Sequence, residues 1–277
     1  TTLRKGIEFS RNLMTVRVAQ EIGLKKILQL SKDLNIYKEI PELLSVSLGS
    51  AETTLLQITN AYASFVNGGK KITPVLIERI QDRRGKTILN SDNRDCVGCD
   101  RYSETTTIVP SIANNLKQVM GKETAYQILS MLEGTIQRGT GKRLKDLKVP
   151  LAGKTGTTND NYDAWFIGST SNLVIGVYIG FDTPKTLGKY ETGSKVALPV
   201  FKNFIKKALY KDDFKPFSIP EEIFFAAVDY NTGKKENFSN PNSIVEAFKL
   251  SDINKMKSNN LDKNTNYDSL IKFRQFY

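Results

Sequence analysis

Histidine is absent from all 277 residues, which removes Ser-His-Asp and Cys-His catalysis and any His-ligated metal. A hydrolase or acyl transferase built from this sequence needs Lys, Glu, Asp or Tyr as its base. Cysteine occurs twice, at Cys96 and Cys99. One Cys-x-x-Cys pair cannot close a four-ligand zinc site without two further ligands, so no metal or cofactor is expected. A redox pair belongs near a helix start in a βαβ unit, whereas this one sits among Asn, Arg, Asp and Gly. A local disulfide in an exposed loop, implying an oxidising compartment, is the leading reading, with free thiols the alternative. Tryptophan occurs once, at Trp165. The longest apolar run, residues 173–181, is too short to span a bilayer. Neither a signal peptide nor an initiating methionine opens the chain, so a later part of a longer polypeptide is expected, with any anchor or export signal upstream.

What is present can supply a sizeable core: 39% of residues are hydrophobic. Lys and Arg number 40 against 29 Asp and Glu, a formal charge of +11. Such a surface favours an anionic partner: nucleic acid, anionic lipid or an acidic polymer. No RNA-recognition or zinc-finger spacing accompanies the charge, and no nucleic-acid partner is expected.

Residues 1–34 read as a loop and then helix, with Ser10 or Asn12 as cap and Gly23 as a divider. Residues 35–50 read as loop or short strand. A helix is expected over 52–67, stopped by Asn67-Gly68-Gly69. Strands at 72–80 and 87–89 flank a turn at Asp82-Arg83-Arg84-Gly85. Helices are expected over 110–120 and 124–137. A meander follows, with strands at 163–170 and 173–181. Gly176, Tyr178 and Gly180 fall on one face of the last strand, which predicts close packing by the helix over 196–209. Residues 223–229 and the turn Asn231-Thr232-Gly233 suggest a small hairpin. Residues 251–277 read as largely disordered.

The run Leu151-Ala152-Gly153-Lys154-Thr155-Gly156-Thr157-Thr158 carries the densest chemistry. Gly156 has no Cβ, so a ligand or chain can lie against the strand there. The threonine hydroxyls and Lys154 can hold a carboxylate, with Lys154 as a compact positive charge. A nucleotide-hydrolase phosphate loop would require a glycine where Lys148 stands, and a helix after Thr155 where Gly-Thr-Thr-Asn follows. Ser10-Arg11-Asn12 supplies a Ser-x-Asn upstream of this Lys-Thr-Gly, in the order of two signatures of penicillin-binding proteins and serine β-lactamases.

Longer blocks surround both motifs. They are Leu3-Arg4-Lys5-Gly6, Ser47-Leu48-Gly49-Ser50 through Glu52, and Asn60-Ala61-Tyr62-Ala63-Ser64-Phe65-Val66-Asn67-Gly68-Gly69. Arg138-Gly139-Thr140-Gly141 and Asp163-Ala164-Trp165-Phe166 complete them. On these residues the chain resembles the transpeptidase domain of class A penicillin-binding proteins, most like the 1A type, over residues 1 to about 210. A weaker continuation runs through Val228-Asp229 and Glu246-Ala247-Phe248. The resemblance implies an α+β fold, an antiparallel sheet flanked by helices, with its N-terminal part missing. Residues 1–210 would be the transpeptidase domain and 211–277 a small C-terminal extension.

The same resemblance implies a D,D-transpeptidase that acts on the D-Ala-D-Ala end of peptidoglycan stem peptides and is acylated by β-lactams. It would work at the periplasmic face of the inner membrane, held by an upstream anchor. Ser10 would shuttle a proton to the leaving nitrogen, Asn12 would orient the substrate amide, and Lys154 would polarise Ser10. Thr155 and Thr157 would bind the substrate carboxylate, with Gly156, Thr158 and Trp165 lining the same strand. The Thr157 N–H would be an oxyanion donor. The Ser-x-x-Lys that carries the nucleophile should precede Ser10, and it does not. The one literal match, Ser269-Leu270-Ile271-Lys272, follows both other motifs and reads as chance. The expectation is therefore a fragment of a bifunctional synthase without its own nucleophile. A non-catalytic remnant and a serine β-lactamase are the alternatives.

Overall fold

The computed structural model describes residues 1–92, 94–99, 109–210 and 213–252. Thr2 opens the first helix by accepting from the Lys5 N–H, and α1 runs Leu3–Glu8 where a loop was expected. The chain reverses through Phe9-Ser10-Arg11 into α2 (Asn12–Ile22), and Gly23, at φ 90°, divides it from α3 (Leu24–Asp33). Neither Ser10 nor Asn12 is the cap of α2: Arg11 holds that position with no side-chain bond. Residues 45–50 belong in part to a 3-10 turn, Leu44–Leu48. Thr54 and Gln57 cap α4 (Leu55–Val66) reciprocally, and Gly68 and Gly69 take left-handed conformations just past its end.

The strand expected over 72–80 is reduced to β1 (Arg79–Gln81), paired with β2 (Thr87–Asn90). Pro74 interrupts that run and cannot donate to a ladder. A short ladder joins β3 (Cys96–Val97) to β4 (Ser111–Ile112), and Cys96 is disulfide-bonded to Cys99. No helix forms over 110–120. The Asn114 side chain accepts from the Leu116 N–H, and Gln118 donates to the carbonyls of Gly68 and Met120, bonds that compete with a helical ladder. The next helix, α5 (Lys122–Gln137), starts beyond Gly121.

A 3-10 turn, Lys142–Leu147, leads to the meander β5 (Ala152–Thr157), β6 (Ala164–Ser169) and β7 (Val174–Ile179), an antiparallel sheet in that order. After it come α6 (Ala197–Ala208) and the antiparallel pair β8 (Ile223–Asp229) and β9 (Ser243–Lys249). A single antiparallel bridge, Val228 to Lys235, follows the Asn231-Thr232-Gly233 turn, and the long returning strand is β9. The Asp229 carboxylate closes that turn by accepting from the Asn231 and Thr232 N–H groups. Ser269–Lys272 and nearly all of the segment expected to be disordered, 251–277, lie outside the described residues.

Helices cover both faces of the three-stranded sheet. On one face Phe166 meets Phe201 of α6 at 4.9 Å between ring centroids, within a core that includes Ile136, Leu144, Leu151, Leu198 and Ile205. The glycine face of β7 is covered by α4, not by α6: a Cβ on Gly176 would strike the Thr59 hydroxyl and Leu55. The α6 helix instead packs on the branched face, Ile175, Val177 and Ile179. The sequence placed glycines and branched residues on opposite faces, but composition alone does not say which helix covers which. A second core joins Tyr126, Leu129 and Leu132 of α5 to Phe217, Ile223, Phe225 and Ala247, so the β8–β9 hairpin packs on α5.

Candidate active site

Lys154 sits on β5 with Ser10 brought against it. The chain leaves α1 at Glu8, and the Arg11 N–H bonds back to the Gly6 carbonyl. Ser10 adopts φ 53°, a left-handed conformation uncommon for a non-glycine residue. This tight reversal sets the Ser10 hydroxyl 2.8 Å from Lys154 Nζ, although 144 residues separate them. Nζ also donates to the Thr155 carbonyl at 2.9 Å. The lysine is half-buried, and burial pushes its pKa down to about 8. It remains mostly protonated at neutral pH and donates to Ser10 Oγ, which leaves the serine's own proton available to another acceptor. The pair can therefore pass a proton through Ser10 while Lys154 holds positive charge beside it.

The strand register sorts the remaining residues. Lys154 pairs with Ile167 and Gly156 with Trp165, so these share one face of the sheet. Trp165 lies 4.6 Å from Tyr178 on that face, and the Tyr178 hydroxyl donates to Asp163. Thr155 and Thr157 pair with Phe166 and Ala164 and alternate to the other face. Thr155 Oγ1 donates to Thr140 Oγ1 at 2.9 Å. Thr157 Oγ1 accepts from the Gly193 N–H at 3.0 Å. Gly193 is required there, since a Cβ would strike the carbonyls of Gly156 and Trp165. Thr158 closes the β5–β6 turn, accepting the Asp163 N–H on its hydroxyl at 2.8 Å. Asn12 is the exposed first residue of α2.

Strand β5 lies at an edge of the described sheet. The Gly153 carbonyl accepts from Thr135 Oγ1 and the Thr155 carbonyl from Lys154 Nζ. Odd-numbered residues of β5 thus turn their backbone away from β6, and the Thr157 N–H shares that outward direction. An extended ligand can add along this edge and meet outward backbone groups of the strand.

Ser10 and Lys154 are in direct contact, Thr155 and Thr157 stand on the same strand but turn their side chains to Thr140 and Gly193, Thr158 serves the turn, and Asn12 is exposed at the start of α2. Three contributors escape sequence reasoning. Thr140 belongs to the Arg138-Gly139-Thr140-Gly141 block, yet nothing in that block indicates a bond to Thr155. Gly193 has no local signal. Glu8, two residues before Ser10, is fully buried, which a charged residue in an unassigned loop does not announce. Among the described residues, no group of His, Cys, Asp or Glu is arranged to hold a metal ion, and no helix is long and apolar enough to cross a membrane.

Comparison with known proteins places this geometry in context. The family profile "Penicillin binding protein transpeptidase domain" matches residues 1–206. A curated relative, penicillin-binding protein 1A of Rickettsia prowazekii (strain Madrid E), is 45% identical over 260 residues, covering 93% of this chain and 32% of that protein. The crystal structure of penicillin-binding protein 1A from Haemophilus influenzae superposes with a TM-score of 0.73 at 28% identity, over 90% of this chain and 40% of that one. The PonA1 protein of Mycobacterium tuberculosis in complex with penicillin V shares the fold, with a TM-score of 0.62 at 18% identity over 80% and 60% of the two chains. The chain thus spans about a third of the length of the curated relatives it matches.

Proposed function

The chain belongs to the penicillin-binding protein transpeptidase family, and from that premise we propose that it forms one side of the active site of a serine D,D-transpeptidase of the class A, 1A type. The carrying observation is the 2.8 Å bond between Ser10 Oγ and Lys154 Nζ on β5, the edge strand of the described sheet. A serine of a Ser-x-x-Lys motif outside these 277 residues attacks the D-Ala-D-Ala carbonyl of a stem peptide. Ser10 delivers a proton to the departing D-alanine nitrogen, and Lys154 holds Ser10 and keeps the site positive. The outward Thr157 N–H receives the developing oxyanion. Thr155 and Thr157 bind the substrate's terminal carboxylate, and Asn12 orients its amide. Gly156 and Trp165 leave and line the space along the strand.

In this reading an amine of a neighbouring stem peptide resolves the acyl-enzyme into a cross-link, and a β-lactam stalls it. The +11 charge suits acidic peptidoglycan and the periplasmic face of a membrane, to which the longer protein is anchored, with its glycosyltransferase domain upstream.

Intact mass after incubation with a labelled penicillin tests this directly. The chain alone should gain no adduct. A polypeptide extended upstream through Ser-x-x-Lys should gain one acyl group on that serine. Acylation of the 277-residue chain at one of its own serines would overturn the assignment of the nucleophile.

A further inference from the structure

Outside the proposed site, the densest set of buried charges in the described residues is centred on Glu8. Its carboxylate accepts from Arg138 Nη2 at 2.6 Å and from the Tyr230 hydroxyl at 2.6 Å. Arg4, one turn earlier in α1, lies 3.5 Å from Glu8 and donates through Nε to Glu246 of β9 at 2.6 Å. Arg4 also donates to the Ser130 carbonyl and hydroxyl on α5. Glu8 and Arg4 are 0% and 3% exposed. Two arginines and two glutamates balance in charge, and each is held by a partner from another element.

Glu8 acts on the site through two routes at once. Its carboxylate fixes the end of α1, and Ser10 follows two residues later. Its backbone carbonyl accepts the Thr140 N–H at 3.1 Å, and Thr140 Oγ1 accepts from Thr155. The approach is close enough to exclude side chains on α5 and beyond: a Cβ on Gly134 would strike the Glu8 carboxylate, and one on Gly139 its carbonyl. This gives a physical reason for Leu3-Arg4-Lys5-Gly6, Arg138-Gly139-Thr140-Gly141 and Glu246-Ala247-Phe248, blocks to which the proposed chemistry assigns no task.

We propose that Glu8 is the positioning residue of the site. Held by Arg138, Tyr230 and Arg4, it sets the Ser10 hydroxyl on Lys154 and the Thr140 hydroxyl on Thr155, and so ties the β8–β9 hairpin to the chemistry. The inference rests on the reading of Ser10 and Lys154 as site residues. When Glu8 is loosened, the Phe9-Ser10-Arg11 reversal relaxes, water reaches Lys154, and its ammonium titrates closer to an ordinary lysine.

The test is NMR titration of Lys154 in the 277-residue chain labelled with 13C at lysine Cε, with the resonance assigned by Lys154→Arg. In Glu8→Gln, which keeps shape but loses the charge, Lys154 should titrate about one pH unit higher than in the parent chain. Tyr230→Phe removes a single bond to Glu8 and serves if Glu8→Gln fails to fold; a smaller shift of the same sign is expected. Ile223→Val, in the core beneath the hairpin, controls for general loss of stability and should lower the melting temperature without moving Lys154. An unmoved Lys154 in a folded Glu8→Gln or Tyr230→Phe chain, or an equal shift in Ile223→Val, would overturn the positioning role. An ordinary lysine titration in the parent chain would instead overturn the functional reading, so the two failures are distinguishable.

Discussion

Two regions of this molecule bury positive charge, and they treat it in opposite ways. Around Glu8, each arginine meets carboxylates in short, directed bonds. The Glu246 and Glu8 carboxylates outweigh the cost of burying Arg4 and raise its pKa further. On β5, among the described residues, Lys154 bonds to a hydroxyl and a carbonyl and pairs with no carboxylate, and burial lowers its pKa to about 8. Paired charge fixes backbone position, whereas uncompensated charge stays poised to interact with a ligand or give up a proton. The first arrangement supplies geometry and the second supplies reactivity, and the first joins Arg4 and Glu8 of α1 to Arg138, Tyr230 and Glu246 far along the chain.

Breaking the paired region should cost most. Glu8→Ala leaves Arg138 and Tyr230 without their shared acceptor and should destabilise the fold by about 3–5 kcal/mol in urea denaturation. A cost below about 1 kcal/mol would mean that the cluster is solvated and the contrast false.

The unpaired region should respond with the other sign. The folded chain releases the Lys154 proton near pH 8, below the ordinary lysine range, so the unfolded chain binds more protons between the two values and stability rises with pH there. Lys154→Met removes the burial penalty and should stabilise the chain at pH 7 by about 2–3 kcal/mol. That gain should fade as pH rises towards the ordinary lysine value. Denaturation curves at several pH values check both the sign and the fading.

Glu133 sharpens the comparison, because it lies near the paired cluster without an ion-pair partner in it. It borders a cleft of about 470 Å³ with Tyr126, Phe217, Lys145 and Lys148. Burial raises its pKa to about 7, against the opposing pull of Arg4 and Arg138. The folded chain holds this proton more tightly than the unfolded chain, so the associated stability is full at acid pH and lost as pH rises through 7. Glu133→Gln should stabilise by about 2 kcal/mol at pH 8 and have little effect at pH 4. The smallest effect is expected from Thr155→Val, which strips Thr140 of its hydroxyl partner and should cost about 1 kcal/mol by the same denaturation measurement.

Much of this architecture was legible in the sequence. The meander was readable because turn residues separate short apolar runs and small and branched residues alternate on the last strand, and α4, α5 and α6 because their apolar residues recur at helical spacing. The Lys-Thr-Gly strand and Ser-x-Asn segment were legible as motifs, but their contact across 144 residues was not, since it depends on how α1 is anchored. The anchor was hidden because Glu8 is buried by residues 130 and 222 positions away, Arg138 and Tyr230, and local pattern carries no long-range pairing. The missing helix at 110–120 failed for a local reason: Asn114 and Gln118 offer their side chains to nearby backbone, and a periodic apolar pattern does not weigh that competition. The 3-10 turn at Leu44–Leu48 was likewise too short to leave a period.

The most direct test of the Ser10–Lys154 pair is the acylation rate by a labelled penicillin in a polypeptide extended upstream through Ser-x-x-Lys, measured for the parent, Ser10→Ala and Lys154→Ala. If Ser10 passes the proton and Lys154 holds it in place, each substitution should slow acylation by about 100-fold or more while the melting temperature stays at or above that of the parent for Lys154→Ala. Acylation of both variants at the parental rate would contradict the assignment of this pair to the chemistry.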